Sequence, residues 1–257
     1  MRMVADQLEA ALINRGLAKP KRLEIHNLVT STNQLAKQYL LNASVMPDVI
    51  IANQQSAGYG RLKRKFYSPQ QTGIYMSLLL PDIPLNEEAT LLTPLSAVAV
   101  VRAIRAVCQI ETQIKWVNDI YYEGQKVVGI LAESIPHHGI VIGIGIDFKD
   151  DGQLSQLVEK AGVLLPNTSP ITRNQLISQI LLEFDRLLPT YRQKEFMAEY
   201  REVSLLITKK IVIRLNEEKT LTGYVQDITN NGELVIQTVG QRLQIIRAGE
   251  VERVLSW

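Results

Sequence analysis

A single cysteine, Cys108, stands among the 257 residues. A lone thiol forms no intrachain disulfide and cannot build a thiolate zinc site; its helical neighbours mark it as a core thiol. The three histidines, His26, His137 and His138, lack metal-ligand spacing with carboxylates, so no protein-held zinc is expected. An excess of one charge is missing too. The 28 Lys and Arg residues against 26 Asp and Glu leave a net charge of +2. That is too little for nucleic-acid binding by the whole molecule, so any charge argument must be local. No apolar run reads as long enough to span a bilayer. The N-terminus, Met1-Arg2-Met3-Val4-Ala5, lacks the basic start and apolar stretch of a secretory signal, which makes a cytoplasmic location the expectation. Repeats and low-complexity tracts are absent, which excludes a solenoid.

Hydrophobic residues at 46% and charged residues at 21% match an ordinary globular protein, and the length suffices for one large domain and one small one. Val4, Leu8, Leu12 and Leu17 fall on one side of a short N-terminal helix that ends before Pro20. Leu23 to His26 alternates as a strand, and Thr30-Ser31-Thr32-Asn33 offers caps for a helix through Leu40. Thr90 to Val107, apolar on several faces, reads as a buried helix with Pro94 in its first turn. Ile114 to Val117, Ile120 to Tyr122, Val127 to Ala132 and Ile140 to Ile146 follow as short strands, with turns at Glu123-Gly124 and His138-Gly139. They indicate a mixed or mostly antiparallel sheet. Thr172 and Gln175 form a capping box for a helix through Phe184 that Pro189 breaks or kinks, and a second helical piece runs through Tyr200. Near Ser204 the texture turns to closely spaced strands at 211–213, 221–225, 234–236 and 243–246, the pattern of a small β-barrel. The expected division is an N-terminal helix and linker over 1–22, a core over 23–203 and a barrel over 204–257.

Between the strand-like runs Val49 to Ala52 and Ile74 to Leu80 lies Gln55-Ser56-Ala57-Gly58-Tyr59-Gly60-Arg61-Leu62-Lys63-Arg64-Lys65-Phe66. Gly58 and Gly60 permit backbone conformations closed to other residues and let main-chain N–H groups approach a ligand, with cations where an anion's oxygens would lie. A solvated basic loop or weak nucleic-acid patch is the alternative. Anchorage on strands at both ends favours the functional reading.

Four pieces occur in order: Ser31-Thr32-Asn33; Gln55 with Gly58-Tyr59-Gly60-Arg61; Lys115-Trp116-Val117-Asn118-Asp119 followed by Lys126-Val127-Val128-Gly129-Ile130-Leu131; and Gly143-Ile144-Gly145-Ile146. Singly weak and jointly specific, they resemble the biotin protein ligases over most of the chain. The resemblance implies an α+β fold, a class II synthetase-like core whose mixed, mostly antiparallel sheet is flanked by helices, with a small C-terminal SH3-like β-barrel. It implies a ligase that joins biotin to the α-phosphate of ATP, accompanied by Mg2+, giving biotinyl-5'-AMP and pyrophosphate. Biotin then passes to a lysine of a biotin carboxyl carrier protein, an acetyl-CoA carboxylase subunit, or a similar biotin domain. A monomer or homodimer is expected, without binding to specific DNA or to membranes.

By the same resemblance, Arg61 and Lys126 steady phosphate and carboxylate oxygens, and Asp119 orients or deprotonates the attacking lysine. Ser31, Thr32, Asn33 and Gln55 offer neutral partners to the ureido ring. Gly58, Tyr59 and Gly60 belong to the loop over biotin, and Gly129, Gly143 and Gly145 let strands lie close to the ring and its valeryl chain. Phe66 stands where the family carries an adenine-stacking tryptophan, and Lys115, Asn118 and Asp147 complete the nucleotide set.

Plainer readings stand beside these. They are helix capping for Ser31 and Thr32, a hairpin lysine at 126, loop anchoring for Phe66, core packing for Trp116, and neutralisation of Asp119 by Lys115. The chain departs from the family at Tyr59 and Lys63, where arginine and glycine are usual, and at Val117 in place of proline. It departs again at Asp147, where the usual asparagine both donates and accepts while an ionised aspartate only accepts. Lys63, Arg64 and Lys65 have no assigned role. The segment before the core is too short for a winged-helix domain, so no repressor function is expected. Competing functions are a lipoate or octanoate protein ligase, and a non-catalytic small-molecule or nucleic-acid binding module.

Overall fold

A computed structural model describes residues 6–42, 44–154, 161–238, 240 and 242–255. Val4 of the expected first helix lies outside them. Seven strands, β1 (Leu23–His26), β2 (Val49–Ala52), β3 (Gly73–Leu80), β4 (Gln113–Lys115), β5 (Asp119–Tyr122), β6 (Gln125–Ile135) and β7 (Gly139–Asp147), build one sheet. Its order is β1-β2-β3-β7-β6-β5-β4, with β1 and β2 parallel and the other pairs antiparallel. Period-2 alternation divides β3 between two cores: Ile74, Met76 and Leu78 face the larger one, while Leu79 joins Ile50, Val141, Ala36 and Leu40 in a smaller one. Helices therefore cover both faces. They include α1 (Ala10–Asn14), α2 (Thr32–Asn42), α3 (Leu92–Cys108), α4 (Arg173–Leu187) and α5 (Phe196–Glu202).

The segment Glu88–Cys108 corrects one sequence expectation, being long and apolar enough by itself to cross a membrane. Its apolar side chains are spent on packing instead: α3 lies against α4, α5 and the sheet, and Leu92, Leu95, Val98 and Ile104 are fully buried. Contact on several sides removes any need for a polar stripe. Cys108, at its end, is half-buried, and burial pushes its thiol up to about 11.

At the other end of the chain, α1 presents Ile13 to the core and leaves Leu12 37% exposed, against expectation, while Leu8 and Leu17 of the expected face do pack on the core. Tertiary bonds set this register. The Arg173 N–H donates to the Asp6 carboxylate at 2.8 Å, and the Glu9 N–H donates to Asn174 Oδ1 at 3.0 Å, so the chain is pinned to the start of α4 before α1 begins. The Thr172–Gln175 capping box opens α4, and Pro189 sits in the 3₁₀ turn Leu188–Gln193 that follows it.

Beyond α5, β8 (Lys210–Arg214), β9 (Thr220–Ile228), β10 (Leu234–Thr238), β11 (Leu243–Ile246) and β12 (Glu250–Val254) form an antiparallel SH3-like sheet in the order β11-β10-β9-β8-β12. β12 was not legible in the sequence, because charged Glu250, Glu252 and Arg253 surround its one fully buried residue, Val251, and a bulge breaks its register. The two sheets are tied together by Trp116, whose Nε1–H donates to the Gly232 carbonyl at 2.8 Å, and by Arg201, which donates to the Ile228 carbonyl at 3.1 Å.

Candidate active site

Strand register lines up Ala52, Tyr75, Gly145, Gly129 and Asp119 across five strands, and beside them Ile50, Ser77, Gly143 and Leu131. Residues opposed in register share a face, so three glycines clear a trough beside Tyr75 and Ser77. The loop 55–66 arches over it and leaves a cleft of about 160 Å³. All the site residues named from the sequence line this cleft except Gly58 and Asp147.

At the floor, Gln55 Oε1 accepts from the Thr32 N–H at 2.9 Å and from its hydroxyl at 3.3 Å, while Gln55 Nε2 donates to Ser68 Oγ at 3.0 Å. The fully buried Ser77 hydroxyl lies 2.6 Å from Asn33 Oδ1 and 2.8 Å from Thr32 Oγ1. The neutral partners expected for a ring are thus held by one another, which orients them. Ser31 is 3% exposed, and its hydroxyl makes no hydrogen bond among the described residues.

Two glycine expectations are corrected. Gly58 and Gly60 do not have positive φ; the left-handed residues of the loop are Leu62 (φ 55°) and Lys63 (φ 57°). Gly58 is needed for close approach, since a Cβ there would meet Ser68 Oγ at 2.6 Å, whereas Gly60 has no such neighbour within 4 Å. The space above Gly143 and Gly145 is filled by the chain's own side chains: a Cβ would lie 2.2 Å from Asn33 Oδ1 and 2.7 Å from the Phe66 ring, respectively. Phe66 lies across Gly145 and Gly129, edge-on to Tyr75 with centroids 6.4 Å apart.

Cations gather at the mouth. Arg61 donates to Asn118 Oδ1 at 3.2 Å and to the Gly249 carbonyl at 3.0 Å, bridging the loop to the C-terminal sheet, and Arg64 pairs with Glu250. Lys126 Nζ lies 2.7 Å from Asp119 Oδ1, so a cation of β6 neutralises this carboxylate. Lys115, offered for that part, sits 5.5 Å over the Tyr121 ring. Asn118 Nδ2 donates to the Ile130 carbonyl at 2.9 Å, which leaves its Oδ1 facing Arg61. Asp147, at the end of β7 opposite Gly73, shares the strand face of Gly145 but does not line the cleft; burial raises its carboxyl to about 7, against the opposing pull of Lys126. Among the described residues no group of three or more His, Cys, Asp or Glu is arranged to hold a metal.

Sequence reasoning missed Ser77, Tyr75, Lys37, Glu133 and Glu250. The polar groups of Tyr75 and Ser77 inside an otherwise apolar strand were a usable signal. Glu250 had none, since it reaches the cleft only because β12 packs beside the loop.

Residues 26–147 match the Biotin/lipoate A/B protein ligase family and residues 209–254 the Biotin protein ligase C terminal domain. The chain is 36% identical over 190 residues to the bifunctional ligase/repressor BirA of Bacillus subtilis, covering 68% of this chain and 56% of the relative. It thus spans a little over half the length of that relative. Over 243 residues it is 28% identical to the biotin--[acetyl-CoA-carboxylase] ligase of Mycobacterium tuberculosis, covering 90% and 88% of the two chains. Its fold is that of the Aquifex aeolicus biotin protein ligase solved with biotin and ATP, at a TM-score of 0.75 and 22% identity, over 90% of this chain and 97% of the other. With both matched regions in chain order and the cleft built from the first and closed by the second, the chain carries a Biotin/lipoate A/B protein ligase domain followed by a biotin protein ligase C-terminal domain.

Proposed function

We propose that this chain is an ATP-dependent ligase that activates biotin as biotinyl-5'-AMP and transfers it to a lysine of a biotin carboxyl carrier domain. One observation carries the reading: a single cleft joins a neutral hydrogen-bonding floor to a cationic mouth, from four separated segments. A neutral bicyclic urea suits the floor of Ser31, Thr32, Asn33 and Gln55, where Ser31, though buried as a residue, has hydroxyl bonding capacity to spare. A triphosphate beside a carboxylate suits Arg61, Lys65 and Lys126. ATP supplies the leaving pyrophosphate and brings Mg2+ on its phosphate oxygens.

Arg61 is held by Asn118 and the Gly249 carbonyl through two of its N–H groups, which leaves further donors for anionic oxygens. Lys126, fixed by Asp119, points its charge at the same region. In the transfer step Asp119 orients the carrier lysine, whose amine must be neutral to attack. Phe66, lying over Gly145 and Gly129, anchors the loop that keeps water from the mixed anhydride. Lys115, Asn118 and Asp147 complete the nucleotide side, and Tyr59, Gly58 and Gly60 belong to the lid. The division at about 203/204 is part of this proposal, with the C-terminal sheet supplying the wall beside Arg61 and Arg64. So is a cytoplasmic location, where ATP and the carrier meet.

The test incubates the chain with Mg-ATP, biotin or lipoate, and an apo carrier domain, following pyrophosphate release and carrier mass. Biotin-dependent release and a biotinylated carrier are expected, with Arg61→Ala losing adenylation. Lipoate dependence, or no acid dependence at all, would overturn the proposal.

A further inference from the structure

We propose that Lys37 and Glu133 are positioning residues that hold the loop over the cleft through Tyr59. The inference rests on reading loop 55–66 as the cleft's cover.

Residues 58–66 fold as a short hairpin: Tyr59 bridges Lys65, the Gly60 N–H donates to the Arg64 carbonyl at 2.8 Å, and the Phe66 N–H donates to the Gly58 carbonyl at 2.9 Å. Tyr59 is at its base, so whatever fixes Tyr59 fixes the tip that carries Arg61. The Tyr59 hydroxyl donates to Glu133 Oε2 at 2.8 Å and accepts from Lys37 Nζ at 3.0 Å; Lys37 Nζ also donates to Glu133 Oε1 at 2.8 Å and lies 5.6 Å from the Tyr59 ring centroid. Helix α2, strand β6 and the loop therefore meet at one carboxylate. That carboxylate binds a second cleft residue, accepting from Asn33 Nδ2 at 2.9 Å, so Glu133 orients Tyr59 and the Asn33 amide together. Neither Lys37 nor Glu133 lines the cleft, and each acts only through these neighbours.

The charge arrangement says why Lys37 is needed. A phenol is neutral, so the loop brings no cation of its own to a carboxylate that is only 23% exposed at its side chain. Removing the cation would leave that charge poorly compensated, and the cluster would loosen. Burial acts to raise the Glu133 carboxyl, but the hydrogen bonds from Lys37, Asn33 and Tyr59 outweigh it and hold the group below the usual carboxylate range. Moving the positive charge from α2 to the loop should therefore preserve the anchor.

Trypsin reads this without any ligand, because Arg61, Lys63, Arg64 and Lys65 make the loop cleavable whenever it leaves the cleft. In the full chain, Lys37→Met and Glu133→Gln are each expected to speed nicking at residues 61–65, followed by mass, by about tenfold, the population change for one lost hydrogen bond to a charged group. Lys37→Arg should nick at the wild-type rate. Adding Tyr59→Arg to Lys37→Met should restore slow nicking by returning a cation to Glu133, a rescue that general loss of stability would not permit. Unchanged nicking in both single variants, or no rescue by either arginine, would overturn the proposal. If the wild type shows no biotin-dependent turnover while this nicking pattern holds, the functional reading falls and the positioning role stands.

Discussion

Asp147→Asn tests the electrostatics beside the cleft, and its size follows from the structure. Burial raises the Asp147 carboxyl from the usual 3.8 to about 7. The folded chain therefore holds this proton more tightly than the unfolded chain, so the stabilisation is full below pH 3.8 and is lost as pH rises toward 7. At about 1.4 kcal/mol per pKa unit, the full cost of ionising the buried group is about 4 kcal/mol, a ceiling because some water reaches the side chain. Between pH 5 and pH 8 the share still to be lost is about 3 kcal/mol. Asparagine fills the same volume and never ionises, so Asp147→Asn should gain on the wild type by up to that amount across the interval. Reversible urea unfolding of both proteins at pH 5 and pH 8, without ligand, measures the difference. A stability difference between the two proteins that is the same at both pH values would refute the raised carboxyl. The shift also softens the departure noted at this position, because near neutral pH a sizeable fraction of Asp147 is protonated and can donate as an asparagine does.

Gly145→Val drives a side chain into the Phe66 ring, 2.7 Å from where its Cβ would stand; it should cost about 1–3 kcal/mol. Phe66→Ala should relieve part of that cost, and additive losses in a double-mutant cycle would refute the contact. Arg173 is 1% exposed and donates to Asn53 Oδ1 at 2.8 Å while facing Asp6. Arg173→Leu should cost about 3–5 kcal/mol in urea unfolding, since it strands the Asp6 carboxylate, and a loss below about 1 kcal/mol would show that the pair contributes little.

Patterns with a short period are legible in the order of residues alone. Short apolar runs bounded by turn residues placed the strands of the larger sheet to within a few positions, because strands covered by helices on both faces must be apolar on both. The capping box placed the start of α4, because its two bonds are local in sequence. The exposure of Leu12 in α1 and the strand β12 were not legible, because their registers come from Asn174, Arg173 and β8, far away along the chain.

The site divides in the same way. Sequence by itself determined which chemistry is present: a basic glycine-bearing loop, a hydroxyl-rich helix start, a lysine just before Gly129 and glycines in a strand. Those are properties of residue type and near-neighbour spacing. Only the tertiary structure decided the partnerships: Lys126 with Asp119, Arg61 with Asn118 and Gly249, Phe66 over Gly145, and Tyr59 with Lys37 and Glu133. The reason is geometric. A hydrogen bond or ion pair acts over about 3 Å, and which groups come that close is set by strand register and loop path, which join residues as far apart in sequence as Arg61 and Gly249.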